Sequence, residues 1–498
     1  MISGGIQQLR DALAMAGFEG MTERQRDMHR ASAYYHGRQY DHLPDWDDPA
    51  MKDEPIRSKA PRYQYRLIKV LTDQLISYVL GQDENPTFMV ENAESDDVAR
   101  TVEMLAGNDP RGLNLMGKMW ETTRLAFLHS AVAVGFVKRT TSGGVRYSTK
   151  VLQADMLNPT FAEMVPSVAA EYDLADDDLA ELDQYWYRYH EDPVTGETWY
   201  TLHRRVWELE RTVEFEPIDL RAINHPDQIQ WTEARVVTHD LGLVPVEYIR
   251  PFPLVNSAGG IPLFEDAEFD LADSINYAMS QLDRGIEYNQ EPTQVFHGVN
   301  VSNEDSLKKA AHKTWAINSD GGDAGVELLE LQGEGQRVAL EYVDKLRDVL
   351  YDVAQLVRHD PQQAANVMSG TAMKRMLIPT IARTHVVRPR IGRPFARLLH
   401  KAAKADGVIS TSEDIKVVVG WPHVVEQSEN DKTQQQNRTI TAEDAGYLTF
   451  EDAVASISQM YGIENPKEYA AELQRSRNQG GTAETLPPLE EPDAPDEG

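Results

Sequence analysis

The chain contains no cysteine among its 498 residues, which excludes disulfides, thiolate catalysis and zinc sites built on cysteine. No Gly-x-x-x-x-Gly-Lys-Ser/Thr segment and no Gly-x-Gly-x-x-Gly after a strand is present, which excludes a standard phosphate-binding loop. No apolar run is long enough to cross a bilayer, and the N-terminal residues lack the pattern of a signal peptide. We therefore expect a protein made in a reducing cytoplasm, with no membrane contact, cofactor, metal or catalytic residues.

Positive charge is scarce, because 49 Lys and Arg stand against 80 Asp and Glu, a formal net charge of −31. Such a chain does not coat nucleic acid, since phosphate neutralisation requires clustered cations, but DNA sliding past it is not excluded. One segment departs from this balance: residues 358–404 carry ten Lys and Arg against the single acid Asp360. We expect this basic segment to lie beside a polyanion or an acidic protein surface.

The N-terminal region has helical patterns. Thr22 and Gln25 form a capping-box start, and Gly37 predicts the end of that helix. Apolar residues recur at helical spacing over 62–80, where Gly81 supplies the stop.

A β-rich part is predicted next, from residue 135 to 231. The hydrophobic period changes toward two there, and Gly and Pro separate the runs. The residues Pro193-Val194-Thr195-Gly196 fit a hairpin loop. The fold class is therefore α+β, with a helical part followed by a β-rich part.

Two long amphipathic helices are predicted at 264–286 and 336–358, each with one apolar stripe. Between them, runs at 293–298, 315–318 and 326–331 predict a small αβ module. An ordinary pair of core helices is the alternative interpretation. The predicted packing residues are Leu271, Ile275 and Leu282 on the first helix and Tyr342, Leu346, Val349, Val353 and Leu356 on the second.

A polar break at 359–370 follows the second helix and leads into the basic segment. Residues 361–370 carry no charge, which fits either a loose connector or a loop that touches a moving polyanion without binding it. Pro379, Pro389 and Pro394 predict that the basic segment is kinked or broken. A strand at 415–419, a polar helix and a last helical pair complete the chain before a disordered acidic tail.

Two acidic clusters, Asp45 to Asp48 and Asp173 to Asp183, raise the alternative of a metal-dependent DNA-processing enzyme. Neither has the spacing and mid-loop glycine of a calcium loop. We favour solvated surface for both, and Asp176, Asp177 and Asp178 resemble the acid-rich start of a short helix.

The order of elements resembles the portal proteins of tailed double-stranded DNA phages, in the family that includes siphophage portals. The motifs that carry this resemblance are Tyr34-Tyr35-His36-Gly37-Arg38, the helix from Tyr65 to Gly81, Val244-Pro245-Val246-Glu247 before the first long helix, Ser369-Gly370-Thr371-Ala372-Met373-Lys374 and Ala445-Gly446-Tyr447-Leu448-Thr449. One departure is Tyr65, which stands where the family usually has Asn.

The resemblance implies a portal fold of wing, stem, clip and crown in a ring of about twelve subunits. The wing would cover 1–260, the first stem helix 261–291, the clip 292–334, the second stem helix 335–358, the tunnel loop 359–370, a kinked helix with a wing strand 371–430, the crown 431–478 and the disordered tail 479–498.

The resemblance also implies function and partners. The ring would stand at one capsid vertex of the virion, after assembly in the host cytoplasm, and act as a channel for double-stranded DNA. Its partners would be the terminase large subunit, the major capsid and scaffolding proteins and a head-completion protein. A minor capsid or scaffold-binding protein is the remaining alternative.

The resemblance assigns two sets of contact residues. Those of the tunnel loop near DNA are His359, Gln362, Gln363, Asn366, Met368 and Ser369. Those of the basic segment, between subunits or at the channel, are Lys374, Arg375, Arg383, Arg388, Arg390, Arg393 and Arg397. We expect many of these arginines to meet acids of a neighbour near Asp344, Asp348 and Asp352, and expect the neutral loop to lie closer to DNA.

Overall fold

The computed structural model describes residues 23–48, 54–81, 85–93, 95–107, 112–141, 144–193, 195–222, 229–239, 241–254, 259–290, 293–297, 325–329, 334–358, 375–409, 415–422, 424, 429–460, 469–471 and 473–475. The chain divides into two compact units. The first comprises Met1–His359 and Leu377–Val424, and the second comprises Asp360–Met376 and Val425–Gly498.

The N-terminal part of the first unit is helical, as predicted. Its helices are α1 (Glu23–His36), α2 (Leu67–Leu80), α3 (Asp96–Ala106) and α4 (Leu115–His129). The predicted start of α2 at residue 62 is wrong. The backbone N–H groups of Tyr63 and Tyr65 donate to side chains of a later helix, so residues 62–66 are not helical. The predicted stop is confirmed, because Gly81 has φ 103°, which favours glycine.

The β-rich part is confirmed, and all its strand pairs are antiparallel. The strands are β2 (Val132–Thr141), β3 (Gly144–Gln153), β4 (Leu157–Phe161), β5 (Leu179–Glu191), β6 (Thr198–Trp207), β7 (Arg211–Phe215), β8 (Ile218–Asp219), β9 (Glu233–Thr238) and β10 (Val246–Ile249). One sheet has the order β4-β5-β6-β7-β9 with β8 beside β6, and another has the order β10-β2-β3.

The predicted hairpin at residues 193–196 joins β5 to β6. The N–H of Gly196 donates to the carbonyl of Asp192 at 2.8 Å, and Gly196 has φ 68°. The acid-rich run at 176–178 does not begin a helix, which corrects that expectation. The short helix α5 (Pro166–Tyr172) ends before it, and these aspartates form the turn that leads into β5.

The two long helices are α6 (Asp266–Gln290) and α7 (Glu334–Val353). Between them, β11 (Thr293–His297) pairs with β12 (Gly325–Leu329), as expected for the small module. The predicted strand at 315–318 lies outside the described residues. Helix α7 ends five residues earlier than predicted, because Gln355 adopts φ 54° and the N–H of Leu356 returns to the carbonyl of Tyr351.

From Ile378 onward the basic segment forms one helix, α8 (Ile378–Asp406), which runs through Pro389 and Pro394 without a break. A break at these two prolines is therefore wrong, but a turn at Leu377 separates α8 from the helical residues Arg375 and Met376 before it. Pro379 lies in the first turn of α8, where a missing N–H costs no helical hydrogen bond. The predicted strand near 415–419 is β13 (Lys416–Gly420), and it pairs with β1 (Thr87–Glu91), which the sequence pattern did not reveal.

The main core of the first unit joins residues from α2, α4, α6, α7 and α8. Leu75, Phe127, Ile275, Leu350 and Phe395 are among its fully or almost fully buried side chains. Burying an aliphatic or aromatic side chain of this size contributes about 1.5–3 kcal/mol, so packing between these helices is the main stabilising term. None of the helices in the described ranges is long and apolar enough to cross a membrane.

The second unit contains α9 (Glu429–Asp444) and α10 (Phe450–Met460), which match the predicted polar helix and the start of the last helical pair. Thr449 begins α10, since its hydroxyl accepts a hydrogen bond from the N–H of Asp452 at 3.1 Å. The acidic tail lies outside the described residues.

Candidate functional site: the long helix pair and the basic helix

Helices α6 and α7 run antiparallel, and side chains tie both ends of the pair. At one end the amide of Gln336 donates to the carbonyl of Gly285 at 3.2 Å. At the other end the guanidinium of Arg383 donates to the carbonyls of Ala354 and Leu263. The pair is therefore fastened near both ends.

The predicted packing residues divide into a buried and an exposed set. Ile275, Leu282 and Leu356 are buried, and Leu271 and Leu346 are half-buried. Tyr342, Val349 and Val353 are 56%, 46% and 44% exposed. The core positions are instead taken by Val343 and Leu350 of α7 and by Ala354, which directly follows the helix.

Four of the five exposed large apolar residues of α7 form one row, which we call the α7 row: Val338, Tyr342, Val349 and Val353. The fifth, Leu340, is 49% exposed and lies on another side of the helix. Spacings of four and seven residues place them on one side of a helix. A single subunit leaves this apolar row in solvent. Its packing against a second subunit stays a prediction.

A ladder of polar side chains, which sequence reasoning missed, covers another side of α6. Asp273 accepts hydrogen bonds from the hydroxyls of Tyr34 at 2.7 Å and Tyr40 at 2.5 Å. Asn276, which is fully buried, donates to the Tyr40 hydroxyl at 3.1 Å. Burial, together with the hydrogen bond to Asp273, raises the pKa of both tyrosines well above the ordinary value, so they stay protonated donors.

The ladder continues along α6 and holds the segment before α2. Asn276 and Ser280 accept the N–H groups of Tyr65 at 2.9 Å and Tyr63 at 3.1 Å. Asp283 pairs with Arg62 at 2.6 Å and accepts the Tyr63 hydroxyl at 3.1 Å. Side chains at intervals of three and four residues therefore replace the helical bonds that residues 62–66 lack. A polar stripe on an otherwise apolar helix was the available signal.

The basic helix α8 uses two arginines as caps for other helices. Arg383 bonds the carbonyl of Ala354 at the end of α7, and the Thr380 hydroxyl bonds the carbonyl of Gln355 at 3.1 Å. Arg388 donates to the carbonyls of Tyr78 and Val79 at the end of α2, at 3.1 and 3.0 Å. Cations are favourable at helix C-termini, where carbonyls lack helical partners. Burial lowers the pKa of Arg388 to about 10, so its charge remains at neutral pH.

Two further cations of α8 bind a buried carboxylate on β10. Glu247, 3% exposed, pairs with Lys401 at 2.7 Å and with Arg397 at 3.0 Å. Arg397 also reaches Asp177 at 3.1 Å and Asp178 at 3.3 Å. Burial lowers the pKa of Arg397, but these carboxylates together raise it above its ordinary value. The network fastens α8 to the β-rich part.

These contacts reduce the number of residues in the basic segment that are available for the predicted contacts with a neighbouring subunit or a channel. Arg383, Arg388 and Arg397 have partners within their own chain, because helix ends and a buried acid require donors there. Arg375, Arg390 and Arg393 are exposed, and for them contact with a neighbour or a channel stays a prediction. Lys374 and the loop residues His359, Gln362, Gln363, Asn366, Met368 and Ser369 lie outside the described residues.

The acids expected to meet neighbouring arginines are partly engaged as well. Arg358 pairs with Asp344 and Asp348 of its own chain, each at 3.2 Å, whereas Asp352 is exposed. The carboxylates considered for a metal are also paired, Asp47 with Arg62 and Asp177 with Arg397. The described part of the chain contains no group of three or more His, Asp or Glu that could hold a metal ion.

Comparison with known proteins gives one family, and the solved structures that match include two particle necks. The family model described as "Phage portal protein, SPP1 Gp6-like" matches residues 170–481, more than half of the chain. The "Neck of empty GTA particle computed with C6 symmetry" is 11% identical, with 83% of this chain and 95% of that chain covered at a TM-score of 0.39. The "Neck of native GTA particle computed with C12 symmetry" is also 11% identical, with 83% and 94% covered at 0.36. No curated protein matches.

Proposed function

Because the chain belongs to the family of SPP1 Gp6-like phage portal proteins, we propose that it forms a ring of about twelve subunits around a DNA channel at one vertex of the capsid. Double-stranded DNA enters the capsid through this channel during packaging and leaves through it at ejection. The protein is a structural part of the virion, assembled in the host cytoplasm, and performs no catalysis itself. This role takes up the expectations that the sequence motifs raised.

The proposed ring has the partners of a packaging vertex. The terminase large subunit docks on it while DNA is packaged, and a head-completion protein binds afterwards. The surrounding shell supplies the major capsid and scaffolding proteins. The net charge of −31 suits such a conduit, since a ring that does not neutralise phosphates lets the duplex slide.

The α7 row is the observation that carries this proposal. Tyr342, Val349 and Val353 lie on one side of a long helix, and a single subunit leaves them about half exposed. Burying apolar area contributes about 25 cal/mol per Å², so a second helix pair beside this row stabilises the assembly. A surface that meets a different surface of the next copy closes into a ring when the rotation between copies divides a full turn evenly.

Native mass spectrometry and negative-stain microscopy of the purified full chain test the proposal. We expect closed rings of about a dozen copies with a central channel at several salt concentrations. V349D places a charge in the α7 row and should yield subunits without rings, whereas R337D, an exposed change on the same helix, should keep them. A wild-type protein that stays monomeric, or images of a particle without a channel, would contradict the proposal.

A further inference from the structure

The sides of α6 next to its contact with α7 differ in character. Successive residues of a helix are rotated by about 100°. The polar ladder with Asn276 and Ser280 therefore lies about a third of a turn to one side of Ile275, which faces inward. On the other side, Leu271, Ser274 and Ala278 form a half-buried row of mostly small residues. The row continues through the exposed Gln281 to Gly285, where an added Cβ would meet nothing within 4 Å. Apart from Gln281, this side of α6 therefore carries small, half-buried side chains and Leu271.

The α7 row lies on the same side of the helix pair as this small row. The inward-facing residues are Ile275 on α6 and Val343 on α7. On each helix, the row lies roughly a quarter of a turn from that residue, in the rotation sense that leads toward the N-terminus. Because the helices are right-handed and antiparallel, these two rotations point to one side of the pair. Large side chains on α7 therefore stand beside small ones on α6, and together they form a stepped apolar face. We call it the apolar face.

The opposite side of the pair presents two exposed aromatic rings. Tyr63 and Tyr65 stack with ring centroids 6.3 Å apart and 19° between ring planes, and they are 38% and 43% exposed. Their N–H groups are fixed by Ser280 and Asn276, and Asp283 accepts the Tyr63 hydroxyl. Rings that are ordered before binding lose little entropy when they dock. Aromatic side chains of this kind are typical anchors of protein interfaces.

The aromatic pair and the apolar face stand at the same height along the helices. Gln336 meets Gly285, so Tyr342 in the α7 row lies near the height of Met279. The tyrosine pair is bonded to α6 just above and below that height, at Asn276 and Ser280. A ring generated by rotation about an axis along the helices brings equal heights of neighbouring copies together.

Charge also matches across the two sides. Arg62 is shared by Asp47 and Asp283 beside the tyrosine pair, which leaves one negative charge in that trio. Lys345, between Tyr342 and Val349 in sequence, has a side chain 81% exposed and pairs with Asp348 at 3.8 Å. The edge of the apolar face thus carries a cation, opposite in sign to the net charge of the trio beside the tyrosines.

We propose that Tyr63 and Tyr65 of one copy dock on the apolar face of the next copy. This inference rests on the proposed ring and adds which two surfaces close it. The contact is heterologous, since the aromatic pair and the apolar face lie on opposite sides of one helix pair. Each copy offers one of each, so the same contact repeats around the ring.

Cross-linking between introduced cysteines tests the contact directly, because the natural chain contains none. The Q64C/S274C variant keeps both tyrosine rings, since Gln64 is the exposed residue between them; treated with a short bis-maleimide, it should give a ladder of covalent oligomers up to the full ring. Q64C alone and Q64C/D352C, which places the second thiol about 15 Å along α7 from the height of Tyr342, should give no ladder. If the wild type and Q64C/S274C form rings but no ladder appears, the docking is refuted while the proposed function stands. If the wild type forms no rings, the proposed function itself fails.

A mixing experiment adds a second readout. Y63S/Y65S keeps the backbone hydrogen bonds and the apolar face but loses the anchor, and V349D loses the face but keeps the anchor. Each alone should remain monomeric with a wild-type circular dichroism spectrum. Mixed, they retain one intact contact per pair and should form heterodimers without closed rings. Rings of Y63S/Y65S alone, or a folded mixture without heterodimers, would overturn the proposed contact.

Discussion

The buried pair of Glu247 and Lys401 gives the sharpest test of how the basic helix is used. Glu247 is 3% exposed and Lys401 is 7% exposed, and their charged atoms are 2.7 Å apart. E247Q removes the charge at almost constant shape and leaves the ammonium buried among the carbonyls of Val244 and Val246, which accept from it at 2.8 and 3.2 Å. Breaking a buried ion pair from one side costs about 3–5 kcal/mol.

A change of Lys401 and a change of both residues distinguish the energy of the ion pair from the effects of its surroundings. K401M should also destabilise the first unit, because Glu247 then keeps only Arg397, whose side chain is 33% exposed. E247Q/K401M removes both charges, and such replacements are often close to neutral. The two single variants should each lower the free energy of unfolding. We expect the loss in the double variant to be smaller than the sum of the two single losses by at least about 2 kcal/mol.

Urea unfolding followed by circular dichroism measures these differences, at protein concentrations where the midpoint no longer depends on concentration. R390M is the matched control, because it removes an exposed cation from the same helix, and it should stay within about 0.5 kcal/mol of the wild type. An E247Q variant as stable as R390M would refute the reasoning. Additive single changes would show that the two charges do not act as a pair.

Three further outcomes can be measured in the same way. Burial lowers the pKa of His203, so the unfolded chain takes up that proton first and the free energy of unfolding should fall as pH drops below about 6.5. H203Q should reduce the change of the urea midpoint between pH 7.5 and 5.5. A pH dependence equal to that of the wild type would contradict this. Y40F removes the donor to Asp273 and should cost about 1–3 kcal/mol in urea unfolding, whereas a neutral result would show that the ladder does not stabilise α6. R388M should destabilise the fold by about 2 kcal/mol, since two helix-end carbonyls lose their donor. R393E should keep the fold but impair ring assembly, which native mass spectrometry measures. The reverse pattern would contradict both assignments.

The sequence predicted the long helices and the β-rich part because each has a local signal. Apolar spacing of three and four residues marked α6 and α7, and the glycine at 196 marked the hairpin between β5 and β6. The errors lay at ends that distant residues decide. Residues 62–66 are not helical because Asn276 and Ser280 accept their N–H groups. The apolar spacing likewise continued past the end of α7, which the backbone of Gln355 sets.

The candidate site was predictable only in part. The apolar residues of α7 were identified, but their periodicity fits both sides of a helix that is apolar on more than one face. Val343 and Leu350 took the core positions, and Tyr342 and Val349 were left outside. The direction of a helical face depends on what packs against it, which spacing alone does not contain.

The sequence by itself determined the general character of this protein. It shows no cysteine, an excess of acidic residues, two long amphipathic helices around a small αβ module and one basic helix. These features are local, so composition and periodicity suffice to read them. Only the tertiary structure decided which cations are structural. Arg388 lies more than 300 residues from the carbonyls that it caps, and Lys401 is more than 150 residues from Glu247. Charge is visible in a sequence, but burial and partnership arise only when distant segments meet and exclude water.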